Sequence, residues 1–417
     1  MNQRPALEGL RVIDLSRVLA GPLSAQILAD LGADVIKVER PVRGDDTREW
    51  APPTMVQSPE SVMNESVYFW SCNRGKRSIT ADLSDKAGRE LILRLVKDAD
   101  VLIENYKVGT LSRYGLDFET LSALNPKLIY CSITGFGQTG PYAERPGYDT
   151  IVQALGGLMS ITGNADGTPG GGPRKAGVAV SDQLTALYSV VSILAAANER
   201  HVSGLGQHID MSLLDVQVAA LSNLGMGYLN TGVVPQRLGN RLSTAFPSDS
   251  YRCTNGEIML IVGNDEQFRR FCEVMGVPEM ASDPRFIKNG SRLQHADILN
   301  PLVAQTFAQR TLEECQRLLN EAGVPAAPIN NIAQVFNDPQ VIARHMVQEI
   351  KRPDGRTARV LASPIRMSRS PLRKPKLPPL LGEHTCQVTD GWSPNQPSDL
   401  RPGHPWLLDC SNNHKEQ

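Results

Sequence analysis

Paired cysteines, net charge and long apolar runs are all missing from this sequence, and each absence removes a class of function. The seven cysteines stand far apart at positions 72, 131, 253, 272, 315, 386 and 410, odd in number and without a C-x-x-C pair. That spacing argues against a disulfide framework or a zinc site and for a reducing, cytoplasmic setting. Lys and Arg number 43 against 44 Asp and Glu, a net charge of −1, with a pI near 6.7. Such a balance supplies no bulk field for nucleic acid or an anionic membrane, so neither partner is expected, although local basic clusters remain candidate anion sites. No apolar run is read as reaching the length of a membrane span, and Met1-Asn2-Gln3-Arg4-Pro5 leads toward a strand without the pattern of a signal or transit segment.

What is present is core-forming material with clear punctuation. At 417 residues, 41% hydrophobic and 21% charged, the chain can bury a large core and is expected to divide into two domains. The first third alternates short apolar strands with helical patterns, which predicts an open, Rossmann-like α/β sheet with ligands at the strand C-terminal ends. Arg11-Val12-Ile13-Asp14-Leu15 reads as a strand that enters a turn at Val18-Leu19-Ala20-Gly21-Pro22 and then a helix stopping at Gly32. Ala33-Asp34-Val35-Ile36-Lys37-Val38-Glu39 reads as the second strand, Val101-Leu102-Ile103 and Leu128-Ile129-Tyr130-Cys131-Ser132-Ile133 as later ones. An amphipathic helix is placed at about 85–97, a largely buried helix at 183–199, a strand at 206–212 and a helix at about 215–229. A composition shift near Gly232-Val233-Val234-Pro235-Gln236 predicts a smaller α+β domain at 230–325, inserted into a large domain of 1–229 and 326–388. The proline-rich polar tail at 389–417 reads as extended or disordered.

Asp182 carries the most chemistry. It ends Gly177-Val178-Ala179-Val180-Ser181-Asp182, behind a glycine-dense loop and ahead of a long apolar helical run. A carboxylate presented from a helix start can attack a thioester or anhydride carbon, and it can equally cap the helix. Thr134-Gly135-Phe136-Gly137-Gln138-Thr139-Gly140-Pro141 and the cluster from Gly156 to Gly172 are each either a tight surface turn or a source of backbone N–H donors for an oxyanion.

Taken together, these stretches resemble the class III CoA-transferases (CaiB/BaiF type) and their relatives, the α-methylacyl-CoA racemases. The resemblance spans about 7–385. It rests on Asp14-Leu15-Ser16-Arg17-Val18-Leu19-Ala20-Gly21-Pro22, Gly32-Ala33-Asp34-Val35-Ile36-Lys37-Val38-Glu39-Arg40-Pro41, Asn73-Arg74-Gly75-Lys76-Arg77-Ser78, Glu104-Asn105-Tyr106, Gly147-Tyr148-Asp149, the stretch 177–182, and Leu380-Leu381-Gly382-Glu383-His384-Thr385. It implies a large α/β domain with a small one, an interlocked homodimer, and acyl-CoA and carboxylic acid substrates, with no permanently bound cofactor and no metal. Asp182 falls at the catalytic position, and the resemblance implies that it carries CoA through a mixed anhydride and an aspartyl-CoA thioester. Asp149 falls beside the reacting acyl group, its alternative being a turn carboxylate, and Gly137 and Gln138 fall near the site. Leu19, Ala20, Arg40, Cys72, Asn73, Arg74, Lys76, Asn105, Tyr106, Lys107 and Arg113 fall where family members contact CoA; Arg74, Lys76 and Arg77 read equally as a solvated basic face.

The racemase branch needs a histidine just before Asp149, and here that residue is Tyr148; a phenol with an ordinary pKa near 10 is a poor proton shuttle at neutral pH. Longer matches are similar to the succinyl-CoA–glutarate (hydroxymethylglutarate) branch and imply a dicarboxylate acceptor. A second carboxylate calls for a cation, for which Arg145, Arg237 and Arg241 are candidates, each alternatively a structural ion-pair partner. A CoA-binding scaffold without catalysis is the remaining alternative, and retention of Asp182 speaks against it.

Overall fold

The computed structural model describes residues 4–50, 66–351, 357–389 and Trp392. Six strands, β1 (Arg11–Asp14), β2 (Asp34–Glu39), β3 (Arg77–Thr80), β4 (Val101–Glu104), β5 (Ile129–Thr134) and β6 (His208–Ser212), make one sheet in the order β3-β2-β1-β4-β5-β6. Every pairing in it is parallel. The strands read as near-continuous apolar runs because both faces are covered. Alternation along each strand sends Ile13, Ile36 and Leu102 to one core layer, and Val12, Val35, Val101 and Ile103 to the other.

Helices α1 (Ala20–Asp30), α2 (Val67–Asn73), α3 (Lys86–Asp98), α4 (Phe118–Leu124) and α5 (Asp149–Leu155) connect and flank these strands. The Leu91, Ile92, Leu95 and Val96 stripe of α3 fills the first layer. The second layer is formed by α1 and by the long α7 (Val180–Ser203), while the short α6 (Leu158–Ile161) belongs to a separate unit. Chain order reverses between β1 and β4, so the loops leaving their C-terminal ends part and open a crevice between them.

On α7 the buried stripe is small and polar, with Ser181, Thr185, Ala186 and Ser189. That lets α1 approach closely, and Ser24 Oγ bonds the Ala20 carbonyl at 2.7 Å and that of Ala186 at 3.3 Å. Leu187, Tyr188 and Val191 on the opposite side are exposed, which corrects the expectation of a largely buried helix. By length and composition alone, its 24 residues would suffice to cross a membrane. That too departs from the sequence reading, because the interleaved serines and alanines disguise how apolar the run is. The helix expected at about 215–229 is two, α8 (Leu213–Ala219) and α9 (Ser222–Thr231), broken where Ser222 takes a positive φ of 48°.

The chain divides into two compact units, residues 1–156, 177–222 and 343–417 in one, and 157–176 with 223–342 in the other. The second unit is α+β, with β7 (Ser248–Arg252), β8 (Glu257–Ile261) and β9 (Ala326–Pro328) antiparallel over a core that includes Phe246, Phe268, Phe271 and Phe307. Its limits differ from the expected 230–325 because the glycine-rich stretch folds onto it. Gly239 N–H donates to the Gly163 carbonyl at 3.1 Å and Arg237 to that of Ser160 at 2.9 Å.

In the first unit the hairpin β10 (Val347–Lys351) and β11 (Thr357–Leu361) packs Ala358 and Val360 against Phe69 and Trp70 of α2. Trp392 is buried against the α3 layer, its indole N–H donating to the Leu95 carbonyl at 2.9 Å. Core therefore extends past residue 388, where a polar tail was expected; 393–417 lie outside the described residues. Cysteines 72, 131, 253, 272 and 315 are free and buried, whereas Cys386 is disulfide-bonded, a departure from an all-thiol set.

Candidate active site

The crevice holds a cavity of about 220 Å³. Arg17, Val18, Leu19 and Ala20 enter it from the loop after β1, Asn105, Tyr106 and Lys107 from the loop after β4, and Thr134 and Gly135 from the end of β5. Arg145, Gly147, Tyr148, Asp182 and Leu213 complete the wall. The first loop is strained, since Val18 is β-branched yet has φ 73°. Its neighbours hold it there. Val18 N–H donates to both oxygens of Asp45 at 3.3 Å, Arg17 N–H donates to Asn105 Oδ1 at 2.8 Å, and Asn105 Nδ2 returns a bond to the Arg17 carbonyl at 2.6 Å. Leu19 then starts α1 with no side-chain cap, so a helix N-terminus with uncapped N–H groups abuts the cavity.

Asp182 sits in the first turn of α7, whose N-cap is Ala179. The simple capping role is therefore not its own. Asp149 fills that role from the start of α5, its Oδ1 accepting from Ser181 N–H at 2.8 Å and Asp182 N–H at 3.4 Å, its Oδ2 from Gln153 Nε2 at 2.6 Å. Burial, and then the charge of Asp149, push Asp182 up to about 7 from the usual 3.8. No cation pairs with Asp182 among the described residues. The helix start favours the charged form, but desolvation and a like charge act the other way and are larger. Tyr68 on α2 belongs to the same group, because burial and the charge of Asp182 push its phenol up to about 12. Neither Tyr68 nor Arg17 stood out in the sequence, and only the Ser16-Arg17-Val18 turn could have pointed to Arg17.

Several residues expected to meet CoA are instead fixed inside the fold. Lys76 Nζ is buried and donates three hydrogen bonds, to Asp14 Oδ2 at 2.8 Å, the Pro22 carbonyl at 2.7 Å and Asn73 Oδ1 at 2.8 Å. Asn73 also donates to the Phe69 carbonyl at 2.9 Å, and Arg74 Nε pairs with Asp30 Oδ1 at 3.0 Å behind it. The Cys72 thiol is buried and pushed up to about 11 by desolvation. Lys76, Asn73 and Cys72 offer no ready polar side-chain group to a phosphate, Arg74 lines a separate cleft with Arg366 and Arg373, and Arg77 pairs with Asp34 at 2.6 Å. Buried charges must be paired, and these are.

Other expected contacts do face solvent. Arg40 and Arg17 share Asp46, at 2.7 Å and 3.0 Å, beside a shallow cleft that Tyr106 also lines. Lys107 and Arg113 are exposed. Gly137 and Gln138 are displaced as oxyanion donors, since their N–H groups bond Thr134 Oγ1 at 2.9 Å and the Asp210 carboxylate at 2.9 and 3.1 Å. Arg237 is ion-paired with Asp166, and Arg241 lies 4.0 Å from Asp297, both within the second unit. Only Arg145 of the three candidates lines the cavity with Asp182.

A model of the CoA-transferase family III matches residues 7–385. The chain is 49% identical to succinate–glutarate CoA-transferase of Agrobacterium fabrum over 93% of its length and 96% of that protein's. It is 38% identical to succinyl-CoA:glutarate CoA-transferase of Homo sapiens, covering 93% and 86% of the two chains. Among solved structures, a CaiB/BaiF family protein from Brucella suis superposes with a TM-score of 0.82 at 46% identity, covering 93% of this chain and 99% of that one. With its parallel sheet, its crevice at the strand-order reversal and Asp182 within it, this chain belongs to the family III CoA-transferases.

Proposed function

We propose that the protein transfers CoA from an acyl-CoA such as succinyl-CoA to a dicarboxylate such as glutarate, with Asp182 as the covalent carrier. The observation that carries this reading is a carboxylate without a cationic partner, in a cavity at the crevice where the sheet order reverses. A carboxylate neutralised by a salt bridge is a poor nucleophile; one raised toward neutrality by its surroundings is more basic and more nucleophilic when ionised.

An oxygen of Asp182 attacks the thioester carbon, the C–S bond breaks and CoA leaves as thiolate. The thiolate attacks the Asp182 carbonyl carbon of the resulting anhydride, releasing the donor acid and leaving an aspartyl-CoA thioester. The acceptor carboxylate then attacks that thioester, expelling CoA thiolate and forming a second anhydride. The thiolate attacks its acceptor carbonyl, giving the new acyl-CoA and restoring the carboxylate. Each step passes through an oxyanion, and the uncapped start of α1 is the candidate donor.

The exposed cations Lys107, Arg113 and Arg40, with Arg17, are the proposed phosphate contacts. The relatives named for succinate and glutarate support a dicarboxylate acceptor. We also propose a cytoplasmic homodimer, in which the exposed Leu187, Tyr188 and Val191 of α7 would be covered. Racemisation is disfavoured because Tyr148 occupies the position where that chemistry needs a histidine. The test is incubation with succinyl-CoA and a panel of carboxylic acids, followed by mass spectrometry of the CoA pool. New acyl-CoA with glutarate, absent with Asp182→Ala, is the expected result; equal product from that variant would refute the mechanism.

A further inference from the structure

We infer that the loop between residues 135 and 147 reads the far carboxylate of the acceptor, through Arg145. This rests on the dicarboxylate reading above and names the group that would enforce it. The loop is closed at its base by backbone contact, for a Cβ on Gly135 would stand 2.5 Å from the Gly147 Cα. Within it, the rings of Phe136 and Tyr142 meet edge to face at 5.7 Å, and the Arg145 guanidinium carbon lies 3.9 Å over the Tyr142 ring. Arg145 N–H also donates to the Tyr142 carbonyl at 2.9 Å. Tyr142 thus links the two, its ring edge to face with Phe136 and covered by Arg145.

Stacking occupies the face of the guanidinium and leaves its N–H edge for a second partner. No carboxylate pairs with that edge among the described residues, in contrast to Arg237 and Arg241. The cavity it lines is the one that holds Asp182. An acceptor whose near carboxylate reaches Asp182 would place its far carboxylate where a planar fork can take both oxygens, a geometry that arginine matches better than lysine. Lys107, the other exposed cation in the wall, lies on the β4 loop and is proposed for CoA phosphate.

The experiment compares glutarate with valerate, which has the same chain length and one carboxylate fewer, using butyryl-CoA as a donor that lacks a second carboxylate. Arg145→Met is expected to lower kcat/KM for glutarate roughly 100-fold, as for a truncated charge pair, while changing valerate less than about threefold, the margin of a lost rim contact. Arg145→Lys keeps charge without the fork and is expected to lose roughly tenfold, with Tyr142→Leu similar, both mainly through KM for glutarate. Lys107→Met is expected to raise KM for butyryl-CoA and leave the glutarate-to-valerate ratio intact. A wild-type protein that transfers CoA but does not distinguish the two acids would overturn both the dicarboxylate reading and this assignment. A wild type that does distinguish them, with the ratio surviving Arg145→Met or collapsing in Lys107→Met, overturns the assignment to Arg145 alone.

Discussion

Two groups of carboxylates lie around the same crevice and are treated in opposite ways. Asp45 and Asp14 are buried with lysines on them, Lys37 at 2.8 Å from Asp45 and Lys76 at 2.8 Å from Asp14. Burial works against the Asp45 charge, but Lys37 and the hydrogen bonds from Thr47 together outweigh it and hold the group down at about 2. Asp182 has burial and Asp149 both acting upward and no cation to oppose them, and reaches about 7. The paired group keeps the strained Val18 turn in place, and the unpaired carboxylate is the one proposed as nucleophile. Pairing, more than burial, separates scaffold from reagent here.

Removing the reagent should have the largest effect. Asp182→Ala is expected to lower transfer by roughly 10⁴-fold or more, as when a nucleophile is deleted, with the far-ultraviolet circular dichroism spectrum unchanged; steady-state assay of acyl-CoA formation measures it. Breaking the scaffold comes next. Lys76→Met leaves Asp14 buried without its ammonium partner and should cost about 3–5 kcal/mol in chemical denaturation. The same change would have little effect on stability if Lys76 were a surface phosphate ligand.

That contrast also marks where the sequence is legible. The strands at 11–14, 34–39, 101–104 and 129–134 and the stripe of α3 can be read because local periodicity and burial coincide there. Asp182 could be picked out because glycines and an apolar helix frame it. The fate of Lys76 and Arg74 could not, because their partners Asp14 and Asp30 are 62 and 44 residues away, and a lysine side chain looks the same in sequence whether it is solvated or buried. Tyr68 lacked any local signal for the same reason. The stretch 157–176 has no period to show that it folds onto residues 237 and 239, and Trp392 is a lone anchor in a polar context.

A smaller perturbation sharpens the comparison at the pair itself. Asp149→Asn keeps an oxygen for the Ser181 N–H but removes the like charge, so the acid limb of the pH–rate profile should move to lower pH. It should not return to an ordinary carboxylate value, because burial is the larger cause. The sign for stability follows from the same raised pKa. Folded Asp182 holds its proton up to about 7 while the unfolded chain loses it near 3.8, so its destabilising effect grows as pH rises between these values and stays constant above. Asp182→Asn should therefore raise the melting temperature at pH 8 by about 1–2 °C, as for a gain of roughly 1 kcal/mol in a chain of this length, and raise it less at pH 5. The smallest effect is expected at Tyr148, which is exposed beside the pair. Tyr148→Phe should change transfer by less than about threefold, the range of a peripheral contact, and should leave α-proton exchange in D₂O at background; a large loss would revive proton transfer as the chemistry.

The proposed mechanism turns on covalent carriage of CoA by Asp182. Peptide mass spectrometry of protein quenched during turnover with succinyl-CoA tests it most directly, with hydroxylamine added in a parallel sample to trap the activated carboxyl. The expected result is a CoA adduct on the peptide that contains Asp182, replaced by a hydroxamate at that residue after trapping. Full transfer activity with Asp182 unmodified in both samples would contradict it.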